Sequence, residues 1–240
     1  MPDDEYRDFV DGARAIVLDL GKHLIGWQEI ARAGIGAGDV IQYWMSLRPG
    51  VVDFTSLAEL PEGMELPADP DPAIMETYAK AGRDIGLALA KGAQVLMSPL
   101  AVTYLDVGYA DELEDPAQRG DWERVRMPVW PRITVEQAWD WEPTEWAPEL
   151  PANAVAGVEA ALWSEVVEDV RDLGFLLLPR LPGLAERAWS AAGQRDWAVY
   201  RPRIAAHAAR WRRAGWTTYF RSAALADPPP VPAASPAERA

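Results

Sequence analysis

An α/β chain with parallel strands, amounting to about half of a (β/α)8 barrel, is the fold class this sequence predicts, and three observations predict it. After a leading amphipathic helix, strand and helix patterns alternate along the chain. The strands are short and almost continuously apolar, as strands covered by helices on their outer face must be. Each strand pattern ends in an aromatic ring or a carboxylate, and functional groups gather at the C-terminal ends of the strands in a barrel of this kind. Only four strands are visible where a closed barrel needs eight. The expected architecture is therefore four C-terminal βα units, a further C-terminal helix and a tail.

The elements follow in order. Tyr6, Phe9, Val10, Ala13, Ile16, Val17 and Leu20 recur at helical spacing, which predicts a helix over 5–20 stopped by Gly21. His23–Trp27 and Val40–Trp44 read as strands joined by a glycine-containing connection. Residues 48–71 are rich in Pro, Gly and acid and read as a loop. Pro72 opens a helix marked by Ile74, Tyr78, Ala81, Ile85 and Leu89, and Lys91-Gly92 stops it. Gln94–Ser98 is the third strand, ended by Pro99, and 107–131 reads as a second polar loop. Thr134 with Gln137 forms a capping box that starts a short helix. Gly157–Trp163 is the fourth strand, 166–191 is helical with a break at Pro179 or Pro182, and Trp197–Arg213 is the last helix. Residues 1–222 are expected to form the barrel portion, and 223–240 a disordered Pro/Ala-rich tail.

Composition removes several function classes. The chain has 240 residues, 49% of them hydrophobic, enough for a core. Its 23 basic and 37 acidic residues leave a net charge of −14, which argues against nucleic acid and against an anionic membrane surface. There is no cysteine, so disulfides and thiolate metal sites are excluded. No apolar run reaches the roughly 18–20 residues of a membrane span. The acidic N-terminus is not a signal peptide, so the chain as it stands reads as cytoplasmic, although a longer enzyme could be secreted. Neither a cofactor nor a metal is expected.

Twelve tryptophans are many for this length, and strand ends that pair a ring with an acid suit a sugar, which needs a stacking face and acceptors for its hydroxyls. The candidate site is Trp27, Trp44, Tyr104, Asp106, Trp163 and Glu165. Strand-end rings also commonly serve as core packing. Glu136, Asp140, Glu142 and Glu145, interleaved with Trp139 and Trp141, read as a solvated helix start rather than a metal site. Gly34-Ile35-Gly36-Ala37-Gly38 lacks the spacing of a phosphate loop. His23 and His207 stand alone, and Glu186-Arg187 reads as a structural pair.

Six segments, in order, carry a resemblance: Gly26-Trp27-Gln28-Glu29-Ile30; Gln42-Tyr43-Trp44; Ser98-Pro99 with Tyr104-Leu105-Asp106; Val135-Glu136-Gln137-Ala138-Trp139-Asp140; Gly157 through Trp163-Ser164-Glu165; and Pro179-Arg180 through Trp189. Together they resemble glycoside hydrolase family 20, the β-N-acetylhexosaminidases, across roughly 5–215. The resemblance implies a retaining mechanism in which the sugar's own 2-acetamido oxygen attacks the anomeric carbon. It implies that Tyr104 hydrogen-bonds that oxygen, that Trp27, Trp44 and Trp163 box the acetamido group, and that Asp106 and Glu165 bind outer hydroxyls. Glycans ending in N-acetylglucosamine or N-acetylgalactosamine are the implied partners.

The departure lies in the acid. The family's Asp-Glu pair stands in a His-x-Gly-Gly-Asp-Glu context that this sequence lacks, as it lacks the family's first-strand arginine. Asp4-Glu5 has no strand before it and sits where a helix dipole favours acids. The expectation is a truncated or split enzyme, inactive alone, whose partner is the N-terminal barrel half. The alternative is a GlcNAc-binding module without chemistry. An open half-barrel is also expected to expose two strand edges and an apolar inner face.

Overall fold

The computed structural model describes residues 3–45, 72–128, 130–146 and 150–226. The expected loop at 48–71 and nearly all of the expected tail lie outside them. Four parallel strands form one sheet in sequence order: β1 (Ile25–Trp27), β2 (Val40–Tyr43), β3 (Gln94–Met97) and β4 (Val155–Val158). Ile41 pairs with Gly26 and Val95, and Leu96 with Gly157.

Strand alternation sends Ile41, Tyr43, Val95 and Met97 to one face. There they pack with Ile85 and Ala88 of α2 (Pro72–Ala90) and Val10 of α1 (Asp3–Asp19). α2 runs between its expected ends, because Pro72 suits a first turn and Gly92, at φ 77°, supplies the left-handed residue that lets the chain turn into β3. Ile74 and Tyr78 lie outside the residues whose side chains are described.

The opposite face is more polar than expected. Gln42 Nε2 and Ser98 Oγ donate to the same Glu159 carboxylate oxygen, at 2.6 and 3.1 Å. A hydrogen-bonded cluster therefore lies within the inner surface that strand composition suggested would be apolar, beside half-buried Val40 and Leu96.

The last strand begins two residues early, at Val155, and ends at Val158, although the apolar run continues to Trp163. Beyond Val158 the chain leaves the ladder and zips to the segment after β3. Leu105 N–H donates to the Ala161 carbonyl at 2.8 Å, and Ala161 N–H to Thr103 at 3.2 Å. The expected loop 107–131 contains a 3-10 turn over Pro116–Gln118 and α4 (Arg119–Arg124); the intervening α3 covers Leu100–Thr103. Arg124 holds this region in place through a two-pronged bond to Asp172. α5 (Val135–Trp139) carries the full capping box of Thr134 and Gln137, and α6 covers Pro143–Trp146.

The helical stretch 166–191 resolves into α7 (Val170–Leu177), capped by Asp169, and α8 (Arg180–Trp189), so the break falls at Pro179. α9 (Trp197–Arg213), capped by Asp196, packs Tyr200 and Ile204 on Trp139. Ala223–Leu225 form a 3-10 turn capped by Ser222. Among the described residues no helix is long and apolar enough to cross a membrane.

Candidate active site

The C-terminal ends of the strands meet in one cleft of about 350 Å3. Its walls are Trp27, Trp44, Tyr104, Asp106, Trp163 and Glu165, together with Glu29, Met127 and Trp130. The fold thus brings all six residues singled out in the sequence to one place, although 138 positions separate Trp27 from Glu165.

Local backbone geometry explains the convergence. Trp27 closes β1, and Trp44 directly follows β2. Gln28, wholly buried, holds that second position: its carbonyl oxygen accepts from the backbone N–H groups of Trp44 and Met45 at 3.0 and 2.8 Å. Its amide in turn donates to the Ala81 carbonyl and to Asp84, both at 3.3 Å, and Asp84 is paired with Arg32. Tyr104 and Asp106 follow α3, and the Thr103–Ala161 zip carries Trp163 and Glu165 to the same rim.

The rings form a partial box. Trp27 lies 6.4 Å from Trp44, nearly edge to face at 76°, and 5.7 Å from Trp163; Tyr104 lies 5.7 Å from Trp163. Trp163 remains 37% exposed with no ring stacked on its open side among the described residues, whereas Tyr104 is 6% exposed. Burial pushes the Tyr104 hydroxyl above the usual phenol range, so it stays a protonated donor at any physiological pH.

Asp106 is the most unusual group in the cleft. Only 1% of it is exposed, and neither carboxylate oxygen has a hydrogen-bond partner among the described residues. Burial pushes its pKa up to about 6, with the negative charge of Glu165 adding to the shift. The backbone amides of Asp106 and Trp163 and the Arg180 guanidinium pull the other way, the amides without ordinary hydrogen-bond geometry. A buried acceptor without donors costs free energy until something supplies them, and a ligand with hydroxyl groups can.

Glu29, Met127 and Trp130 were missed in the sequence reading. Glu29 lies in the 3-10 turn Gln28–Arg32, two residues past Trp27, and its carboxylate accepts from the Trp44 indole N–H at 3.2 Å. Replacing Glu29 with Leu should free that indole and weaken ligand binding in the cleft by about tenfold, the worth of one charge-assisted hydrogen bond. Glu29→Gln, which keeps an acceptor, should bind nearly as wild type; ligand titration of both variants, with circular dichroism to confirm folding, checks this.

Other candidates go elsewhere. Asp4 pairs with Arg7, and exposed Glu5 sits beside it in the first turn of α1; neither lines the cleft. Glu186 pairs with Arg203, while Arg187 donates to the Trp141 carbonyl, so each reaches to another element. Glu142 pairs with Arg195, and Trp139 and Trp141 are buried, so that acidic stretch is partly a packed helix junction rather than a solvated surface. His207 packs near Trp211, and His23 sits against Gly38. No group of three or more His, Cys, Asp or Glu among the described residues could hold a metal ion.

Comparison with known proteins identifies the family and the fold. Residues 3–192 match the family described as glycosyl hydrolase family 20, catalytic domain. The chain is 34% identical over 216 residues to a beta-N-acetylhexosaminidase of Cellulomonas fimi, covering 90% of this chain and 35% of that protein. A mutant Streptomyces plicatus beta-hexosaminidase in complex with product GlcNAc superposes with a TM-score of 0.67 at 31% identity, over 93% of this chain and 37% of that one. The family 20 beta-N-acetylhexosaminidase of Streptomyces coelicolor gives the same TM-score, identity and coverage. The chain therefore spans little more than a third of the length of these relatives.

Proposed function

Because this chain belongs to glycoside hydrolase family 20, we propose that its cleft is the acetamido-binding part of a β-N-acetylhexosaminidase active site, acting on glycans with a terminal non-reducing N-acetylhexosamine. The observation that carries this reading is the convergence of three indoles, the Tyr104 hydroxyl and the unpartnered Asp106 carboxylate on one cleft.

Each group has a role suited to its surroundings. Trp27, Trp44 and Trp163 enclose the acetamido methyl and one face of the ring, where aromatic surface is worth most. Tyr104, held protonated, donates to the acetamido oxygen and restrains it for attack on the anomeric carbon. As the C–O bond to the leaving group breaks, the acetamido oxygen closes a five-membered oxazolinium ring, whose charge the electron-rich box accommodates. Asp106 and exposed Glu165 accept from outer hydroxyls and fix the sugar in the cleft. The leaving oxygen needs a proton and the acetamido nitrogen needs a carboxylate, and the sequence has no His-x-Gly-Gly-Asp-Glu segment to supply them.

The missing groups belong, in this reading, to a partner barrel half. Support comes from the two flanks of the sheet. Phe9 and Ile16 on α1, with Leu20 just past its end, form an exposed apolar stripe continued by Ile25 on β1. On α8, which adjoins β4, Leu181, Ala185, Ala188 and Trp189 form another, and Trp189 is 91% exposed. Apolar stripes at helical spacing are normally buried. A second copy of the chain is a poor fit, because its α1 and the first copy's α8 would claim the same position outside the seam between the sheets. Four strands joined by three helices would fill the ring without that conflict.

A GlcNAc-binding module without chemistry is the competing reading, favoured by the absent acid motif. The chain should bind GlcNAc and discriminate against glucose, which lacks the acetamido group, by at least about tenfold. Calorimetric titration with both sugars tests this, and equal or absent binding defeats both readings of the cleft.

A further inference from the structure

Arg180, the first residue of α8, stands behind the cleft rather than in it. It is 2% exposed, so its guanidinium is withdrawn from water. Its Nη2 donates to the Leu105 carbonyl at 2.5 Å and weakly to Leu176 at 3.5 Å, and the guanidinium carbon lies 4.0 Å from the Tyr109 ring centre. Its Nε and Nη1 have no partner among the described residues, and no carboxylate forms an ion pair with it there. The next residue after Leu105 is Asp106, whose two oxygens are equally unpartnered. A buried cation without an anion and a buried acid without a donor therefore sit back to back across one peptide.

We propose that Arg180 is the positioning residue for the sugar-hydroxyl acceptor: anchored to the Leu105 carbonyl, it fixes the Asp106 segment and supplies the positive field that keeps the Asp106 carboxylate ionised when a ligand closes the cleft over it. This rests on the sugar reading of the cleft. Arginine does not give up its proton inside a protein, so its charge is a fixed feature of the interior. Burying such a charge is costly unless an opposite one compensates, and an ionised Asp106 is the compensation at hand. The help is mutual, because the Asp106 carboxylate, almost wholly withdrawn from water, would otherwise be driven further toward the protonated form.

The other groups facing Asp106 do not supply this field. Glu165, from the segment after β4, opposes it with a like charge, and Tyr104 on its own segment is neutral. The segment after α4 offers the Met127 N–H to the Asp106 backbone carbonyl at 2.8 Å, while Arg126 donates to the Pro128 carbonyl. Removal of the Arg180 charge should therefore leave the carboxylate with only weak amide support.

The test is a carbon-13 titration of the Asp106 carboxyl in the 240-residue chain, paired with GlcNAc binding across the same pH range. Wild type should titrate near its value of about 6. Arg180→Gln should raise the midpoint by about one unit, which lowers GlcNAc affinity about twofold at pH 7 and close to tenfold by about pH 5, and restores it at higher pH. Arg180→Lys, which keeps the charge, should stay within about half a unit of wild type. A folded Arg180→Gln chain with an unmoved midpoint overturns the inference. Should that variant not fold, the Arg180 Nη resonances of wild type decide: they should shift with the Asp106 midpoint, and indifference to it overturns the inference. Failure of wild type to bind GlcNAc defeats the sugar reading instead, and the free-chain titration then reads the Arg180–Asp106 coupling by itself.

Discussion

Purified alone, the 240-residue chain should leave p-nitrophenyl N-acetyl-β-glucosaminide intact, and nitrophenolate should appear only when a barrel half of four strands and three helices bearing the Asp-Glu pair is added. Among the described residues the cleft has three carboxylates, and each is committed elsewhere. Glu29 accepts from the Trp44 indole, Asp106 is buried at the hydroxyl-binding side, and Glu165 is exposed at the rim. General acid catalysis is worth about two to four powers of ten, and loss of electrostatic support for the developing charge costs about two to three more. The isolated chain should therefore fall at least about four powers of ten below the mixture in a continuous absorbance assay. Glu5→Gln should leave the mixture's rate unchanged, since Glu5 lies on the exposed first turn of α1 beside the Asp4–Arg7 pair. Turnover by the chain alone that Glu5→Gln abolishes would restore Asp4-Glu5 as the catalytic pair and defeat this account of the cleft.

Much of this arrangement is legible in sequence, for reasons that differ from element to element. α2 is readable at both ends because Pro72 and Lys91-Gly92 act through local backbone preferences that tertiary contacts do not override. The four strands are readable because helix-covered strands must be apolar. The end of β4 is not, because the apolar run Ala160–Trp163 belongs to the zip with Thr103–Leu105, and nothing local distinguishes ladder from zip. α4 is hidden by its polarity: none of its residues is buried. The six cleft residues are found through motifs that place a ring or an acid just beyond a strand. Glu29 sits beside such a ring, and its bond to an indole 15 positions away appears only once β1 and β2 pair. Trp130 arrives from a connecting segment whose path no periodicity announces. Gln28 stands in a segment that carries the resemblance, but its clamp on two backbone N–H groups has no signal of its own, since such a buried amide looks in sequence like any polar residue after a strand.

Asp106→Asn should make the ligand-free chain more stable at neutral pH while removing most of its affinity for GlcNAc. The folded pKa of Asp106 is raised, from 3.8 to about 6, so the penalty has a definite pH window. Below the unfolded value both states are protonated and the group contributes nothing. As pH rises from there toward about 6, the unfolded chain ionises while the folded chain resists, and folding loses stability. Above that the loss is complete, on the order of 2–3 kcal/mol from about 1.4 kcal/mol per unit. Asparagine carries no charge to desolvate, and the value of about 6 already includes the attraction to Arg180, so the variant should gain about that much at neutral pH and show a flatter stability curve through the window. Its amide also brings two donors that outer hydroxyls do not require, and it offers one acceptor oxygen where the carboxylate offers two. Affinity should fall by about ten- to a hundredfold, the worth of hydrogen bonds to a charged acceptor. Urea denaturation at several pH values, beside GlcNAc titration, reads both effects. A variant that loses stability at neutral pH would mean that Asp106 is already satisfied in the folded chain. Its two unpartnered oxygens would then no longer mark the place where a sugar hydroxyl binds.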